Sequence, residues 1–227
     1  MRLTTPLTKL TLIIAVVSYL LGSIPFGYLL VRLFRGQDVR QTGSGNIGAT
    51  NVARTGSKGL AFATLLLDAL KGYAAVAFAF WLAGSRRLET GSPTSVYDQA
   101  PGLDSHAFFL LAALAAFCAI LGHMFTVWLR FKGGKGVATA VGAFAAFAPR
   151  AIIVALVLFV IVVAVTRYIS LGSMVAAAAF PLLAWWLNPA ERTTVPSLLL
   201  IAASSFLIIV RHNDNIRRLL AGTENRW

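Results

Sequence analysis

The stretch VATAVGAFAAFAPRAIIVALVLFVIVVAVT, residues 137–166, decides how this chain is folded. Its apolar character is broken mainly at Pro149-Arg150. A helix needs roughly 20 residues to cross the hydrocarbon core of a bilayer, within a range of about 17–25. Read as one helix kinked at Pro149, the stretch crosses once. Read as 137–148 and 151–166, it crosses twice, although the first half is short for the task. The choice fixes which side of the membrane receives everything that follows.

The rest of the chain settles it. Further apolar runs lie at 10–31, 60–82, 106–129, 168–187 and 196–210. Between and beyond them, 32–59 carries Arg32, Arg35, Arg40, Arg54 and Lys58; 130–136 carries Arg130, Lys132 and Lys135; and 211–227 carries Arg211, Arg217, Arg218 and Arg226. Cytoplasmic loops concentrate Lys and Arg. The 83–105 loop mixes Arg86 and Arg87 with Glu89, Asp98 and Asp104 and reads as an outside loop. Seven crossings put all three basic stretches on one side, whereas merging 137–166 would eject the basic tail to the other. The expected fold is an all-α, polytopic membrane helical bundle of seven transmembrane helices, N-terminus outside and C-terminus cytoplasmic. It forms one domain over residues 1–227.

Composition agrees. With 58% hydrophobic and 12% charged residues and a mean hydropathy of +0.76, no hydrophilic stretch is left for a soluble domain. The net charge of +12 follows from positive-inside loops rather than from nucleic-acid binding, and its surplus suits an anionic substrate. Cys118 stands alone in an apolar run and the three histidines are isolated, so neither disulfide, metal nor other cofactor is expected. The first apolar run continues into Gly22-Ser23-Ile24-Pro25-Phe26-Gly27 without a small-x-small cleavage site and reads as a retained helix, kinked or closely packed there.

Three glycine-rich or polar segments carry the chemistry. Phe131-Lys132-Gly133-Gly134-Lys135-Gly136 is not a nucleotide-binding P-loop, because the earlier glycine and the Ser/Thr are missing. Its physics is related: Gly133, Gly134 and Gly136 let the backbone approach an oxyanion, the following helix aims free amides at it, and Lys135 adds a full charge. From Gly43 to Gly59, the residues Ser44, Asn46, Asn51, Arg54 and Lys58 offer hydroxyl, amide and cationic donors. After the last run, His212 and Asn215 stand three apart and can face one target, while Glu224 ties basic residues together. Inside the second run, Asp68 and Lys71 share a helix face, either as a structural ion pair or as a substrate contact. His123 lies eight residues before the start of the phenylalanine-lysine loop and is a further binding candidate.

Taken together, Gly22 to Gly27, Ser44-Gly45-Asn46-Ile47-Gly48-Ala49-Thr50-Asn51, His123 to Thr139, and His212-Asn213-x-Asn215-Ile216 with Gly222-Thr223-Glu224 resemble the bacterial membrane acyl-phosphate:glycerol-3-phosphate acyltransferases. The resemblance implies transfer of a fatty acyl group from acyl-phosphate to the sn-1 hydroxyl of glycerol 3-phosphate, giving lysophosphatidic acid and phosphate for phospholipid biosynthesis. It implies seven helices in the inner membrane, a cytoplasm-facing site, contact with membrane lipid, and contact with the enzyme that supplies acyl-phosphate. By resemblance, Ser44, Arg54, Lys135, His212 and Asn215 are functional and Glu224 supports structure. Thr126 stands where the family often has proline, which bears on how the third helix ends.

An acyl-phosphate is an activated mixed anhydride, so no covalent acyl-enzyme is required. The site must bring two phosphate-bearing molecules together and stabilise a developing oxyanion. Arg54, Lys58, Lys71 and Lys135 suit the first need; Ser44, Asn46 and backbone amides suit the second. Either His212 or the substrate's own phosphate takes the hydroxyl proton. The competing class is an organic-phosphate membrane transporter, whose mark would be cations near mid-membrane on paired broken helices. Basic residues gathered at one interface favour an enzyme.

Overall fold

The structure, a computed structural model, describes residues 4–88, 105–188 and 193–227, so most of the expected outside loop lies beyond the described residues. Every regular element among the described residues is helical: α1 (Thr4–Ser23), α2 (Phe26–Arg35), α3 (Ala49–Ala53), α4 (Lys58–Leu88), α5 (Ser105–Met124), α6 (Val137–Ala145), α7 (Pro149–Thr166), α8 (Ile169–Leu187), α9 (Val195–Val210) and α10 (Asn213–Leu220). Five helical spans are long and apolar enough to cross a membrane, and a sixth is added if α9 and α10, bent by 52°, count as one. Among the described residues the chain is thus all-helical, with the spans of an integral membrane protein.

The 137–166 stretch is two helices. α6 ends at Ala145, and Pro149 occupies the first turn of α7, where a missing N–H breaks no helical hydrogen bond. With nine residues, α6 rises only about 14 Å, roughly half the hydrocarbon core.

Close packing depends on glycine. A Cβ on Gly22 would lie 2.0 Å from the Ala119 carbonyl oxygen, and one on Gly122 would lie 2.1 Å from that of Tyr19, so α1 and α5 meet backbone to backbone. Gly72 and Gly142 do the same for α4 and α6, facing the carbonyls of Thr139 and Ala69. Lipid gives helices no hydrophobic drive to associate, and such small-residue contacts supply the van der Waals area instead. Phe109 against Phe147 (5.0 Å between ring centres) and Phe144 against Phe180 (4.2 Å) fill the bundle between α5, α6 and α8. α7 presents Ile153, Val157, Val160, Ile161 and Val165 outward, as a lipid-facing helix does.

Pro25 separates α1 from α2 and leaves backbone carbonyls without a helical donor. Two side chains from elsewhere in the chain take them up: the Thr126 hydroxyl, just past α5, donates to Ser23 O, and the Lys71 ammonium of α4 donates to Ile24 O at 2.7 Å. The Tyr19 hydroxyl donates to Phe125 O at 2.6 Å. The break therefore pins α1 and α2 to the end of α5 and to α4.

Candidate active site

The glycine-lysine loop is folded back onto the end of α5. After a short 3₁₀ turn at Val127–Leu129, Arg130 and Phe131 both take left-handed backbone, φ 54° and 62°. The Gly133 and Gly134 amides then donate to Met124 O (3.1 Å) and His123 O (3.0 Å). A side chain at 134 would meet the His123 ring, whose Nε2 lies 2.0 Å from where a Cβ would be. Gly136, at φ 82°, caps α6 in a conformation that disfavours any L side chain. Among the described residues, the amides of Lys135, Gly136, Val137 and Ala138 have no backbone acceptor. Together with the positive end of α6 they form a surface suited to an anion.

The third segment supplies the opposite wall. The Lys135 ammonium donates to Asn215 Oδ1. Asn215 Nδ2 donates to Glu224 Oε1 at 2.6 Å, where the Ser170 hydroxyl also donates at 2.8 Å. Arg218 Nε donates to Glu224 Oε2 at 2.7 Å. Burial would raise the Glu224 pKa, but the three hydrogen bonds from Asn215, Ser170 and Arg218 outweigh it and hold the carboxyl below its usual range. Burial pushes Lys135 down to about 8, and the Arg218 and Arg54 charges add to that. His212 is buried, and its Nδ1 donates to Ile208 O at 2.7 Å, leaving Nε2 as the acceptor. Burial lowers its pKa to about 4, so the ring is neutral near pH 7.

The first segment divides in two. Asn51 is buried and donates from Nδ2 to Val39 O, Thr42 O and Asn46 O, while its Oδ1 accepts the Ser44 amide at 2.8 Å. Asn46 Oδ1 accepts the Gly48 amide at 2.9 Å. These two asparagines shape the loop. Ser44, Arg54 and Lys58 stay exposed, and the charge of Arg54 is close enough to disfavour protonation of Lys135.

Asp68, Lys71 and His123 form a separate buried cluster behind the loop. Lys71 Nζ lies 2.7 Å from Asp68 Oδ1, and His123 Nδ1 lies 3.6 Å from the same oxygen. Since Lys71 also donates to Ile24 O, its ammonium is engaged on both sides. His123 meets the loop through its main-chain carbonyl and through the ring that Gly134 covers.

Thus Lys135, His212, Asn215 and Glu224 meet in one place, with Arg54 beside them. Asn46, Asn51, Asp68, Lys71 and His123 face the scaffold. In the sequence Arg211 heads the third polar segment and counts among its charges, with no role of its own assigned. In the structure its Nη2 donates to Gly133 O at 3.2 Å and its Nε to Gly134 O at 3.3 Å. The sole sequence signal was its place directly before His212.

Cations, unpaired amides and a neutral imidazole gathered in one place can bind phosphate and support oxyanion chemistry. Comparison with known proteins agrees. Residues 12–222 match the family described as Glycerol-3-phosphate acyltransferase. The glycerol-3-phosphate acyltransferase of Rhodopseudomonas palustris (strain BisB5) is 46% identical over 211 residues, covering 93% of each chain. That of Geobacter sulfurreducens is 46% identical over 216 residues, covering 95% of this chain and 97% of the relative. Among solved structures, PlsY (YgiH), an integral membrane glycerol 3-phosphate acyltransferase in its glycerol 3-phosphate form, superposes with a TM-score of 0.78 at 34% identity. The alignment covers 96% of this chain and 95% of that one.

Proposed function

We propose a reaction from the premise that the chain belongs to the glycerol-3-phosphate acyltransferase family: a fatty acyl group moves from acyl-phosphate to the sn-1 hydroxyl of glycerol 3-phosphate, releasing lysophosphatidic acid and phosphate. The chain is an integral membrane acyltransferase. The observation that carries the finer reading is the meeting of Lys135, Asn215 and the unpaired amides at the start of α6. That arrangement suits a phosphate leaving group, which acyl-phosphate provides. A solved lysophosphatidic acid form of PlsY, superposing with a TM-score of 0.75, supports the product.

In this reading the sn-1 oxygen attacks the acyl carbonyl carbon and the bond from that carbon to the phosphate oxygen breaks. Phosphate leaves with the electron pair, and a phosphate oxygen receives the hydroxyl proton. Lys135, Arg54 and Lys58 neutralise the two phosphates, Ser44 and loop amides donate to the oxyanion, and Asn215 holds Lys135 in place. A His212 pKa near 4 makes it a weak base, so His212 positions substrate through Nε2. Asp68 and Glu224 are structural.

The same reading places the whole 1–227 chain as one domain in the bacterial inner membrane with seven crossings, α6 being the shortest. All three basic segments face the cytoplasm, where glycerol 3-phosphate enters and acyl-phosphate arrives from the enzyme that makes it. The acyl tail stays among the helices. Purified protein given acyl-phosphate and glycerol 3-phosphate forms lysophosphatidic acid, and acyl-CoA does not replace the donor. Product from acyl-CoA alone would refute the donor assignment; phosphate flux in liposomes without any product would point to the transporter class instead.

A further inference from the structure

We propose that Arg211 is a positioning residue that sets which way the peptide units of the glycine-lysine loop face, and thereby the loop's affinity for phosphate. The inference rests on the reading of this loop as the phosphate site. A peptide unit is planar and trans, so its C=O and N–H point in opposite directions. In the Gly133–Gly134 unit, Arg211 Nη2 donates to the Gly133 oxygen on one side and the Gly134 amide donates to His123 O on the other. That unit is clamped at both ends. The Gly134–Lys135 unit is held at one end only, by Arg211 Nε on the Gly134 oxygen at 3.3 Å. Its other end, the Lys135 amide, is the first of the unpaired donors.

The first unit is flanked by glycine on both sides; the second turns freely at Gly134, with only the φ of Lys135 opposing a flip. A flip of the second would turn a carbonyl dipole toward the anion in place of an N–H. Arg211 prevents this from the carbonyl side: half-buried, its guanidinium lies over the Phe125 ring at 5.6 Å while its fork spans both carbonyls. The fork matters more than the charge, since each carbonyl needs its own directed donor.

The test uses inorganic phosphate as a competitive inhibitor of acyl transfer by the purified full-length protein. Arg211→Met weakens phosphate about tenfold, the loss of one hydrogen bond to a charged group. Arg211→Gln, uncharged but able to donate to a carbonyl, regains part of that loss, and Arg211→Lys does no better than Arg211→Gln. A phosphate affinity unchanged in Arg211→Met overturns the inference. So does full retention in Arg211→Lys with Arg211→Gln as weak as Arg211→Met, because Arg211 would then be a direct charge on the ligand. If Arg211→Met does not fold, the Lys and Gln variants alone decide. Lys135→Met is the control for the premise: unchanged phosphate affinity there refutes the phosphate site itself, whereas a loss there with none in Arg211→Met refutes only the role of Arg211.

Discussion

In the proposed reaction Lys135 binds phosphate as its ammonium, and its pKa of about 8 places that ionisation within reach of experiment. That ammonium is lost as pH rises. In the free enzyme kcat/KM therefore falls as pH rises through about 8, and Lys135→Arg, which cannot deprotonate in this range, moves the fall upward. A pH profile of both proteins checks this. His212→Gln lowers turnover by roughly 10–100-fold without abolishing it, since directing a substrate matters less here than removing a proton would. Abolished turnover with intact substrate binding would instead make His212 the base. The motifs marked Lys135, His212, Asn215 and Glu224 correctly as neighbours, because functional groups at chain turns leave residue-type signatures. What the sequence could not reveal was direction. Asn51 has the same donors whether it faces a ligand or, as here, three carbonyls of its own loop. An arginine that caps carbonyls has no spacing pattern at all, which is why the part Arg211 plays in holding the loop was not legible.

At the level of elements, the helix boundaries were legible wherever proline or a charged stretch ended an apolar run. Pro149 divides 137–166 into two helices, the first of them too short by itself to span the hydrocarbon core. The use of the Pro25 break was not legible, because the groups that satisfy its carbonyls come from about 50 and 100 residues away in sequence. Thr126 supplies the hydroxyl that takes up the Ser23 carbonyl. Thr126→Val, nearly the same shape, leaves the Ser23 carbonyl without its side-chain donor. We expect a cost of about 1–3 kcal/mol, read as an earlier thermal unfolding transition in detergent.

For the whole molecule, the proposed topology makes a labelling prediction. In a Cys118→Ser background, Lys132→Cys and Arg226→Cys react with an impermeant thiol reagent only from the cytoplasmic side, and Ser92→Cys only from the outside. Reaction of either of the first two from outside would break the orientation. The bundle also has an uneven relation to its surroundings. Its outward helix α7 is clothed in branched aliphatics, while the α1–α5 and α4–α6 seams close on glycine. Acyl chains can wet the former and cannot penetrate the latter. An enzyme that begins the manufacture of its own solvent is thereby insulated from changes in it: in proteoliposomes of short, long, saturated or unsaturated phospholipid, its rate should vary less than about threefold, the scatter expected of a single weak contact.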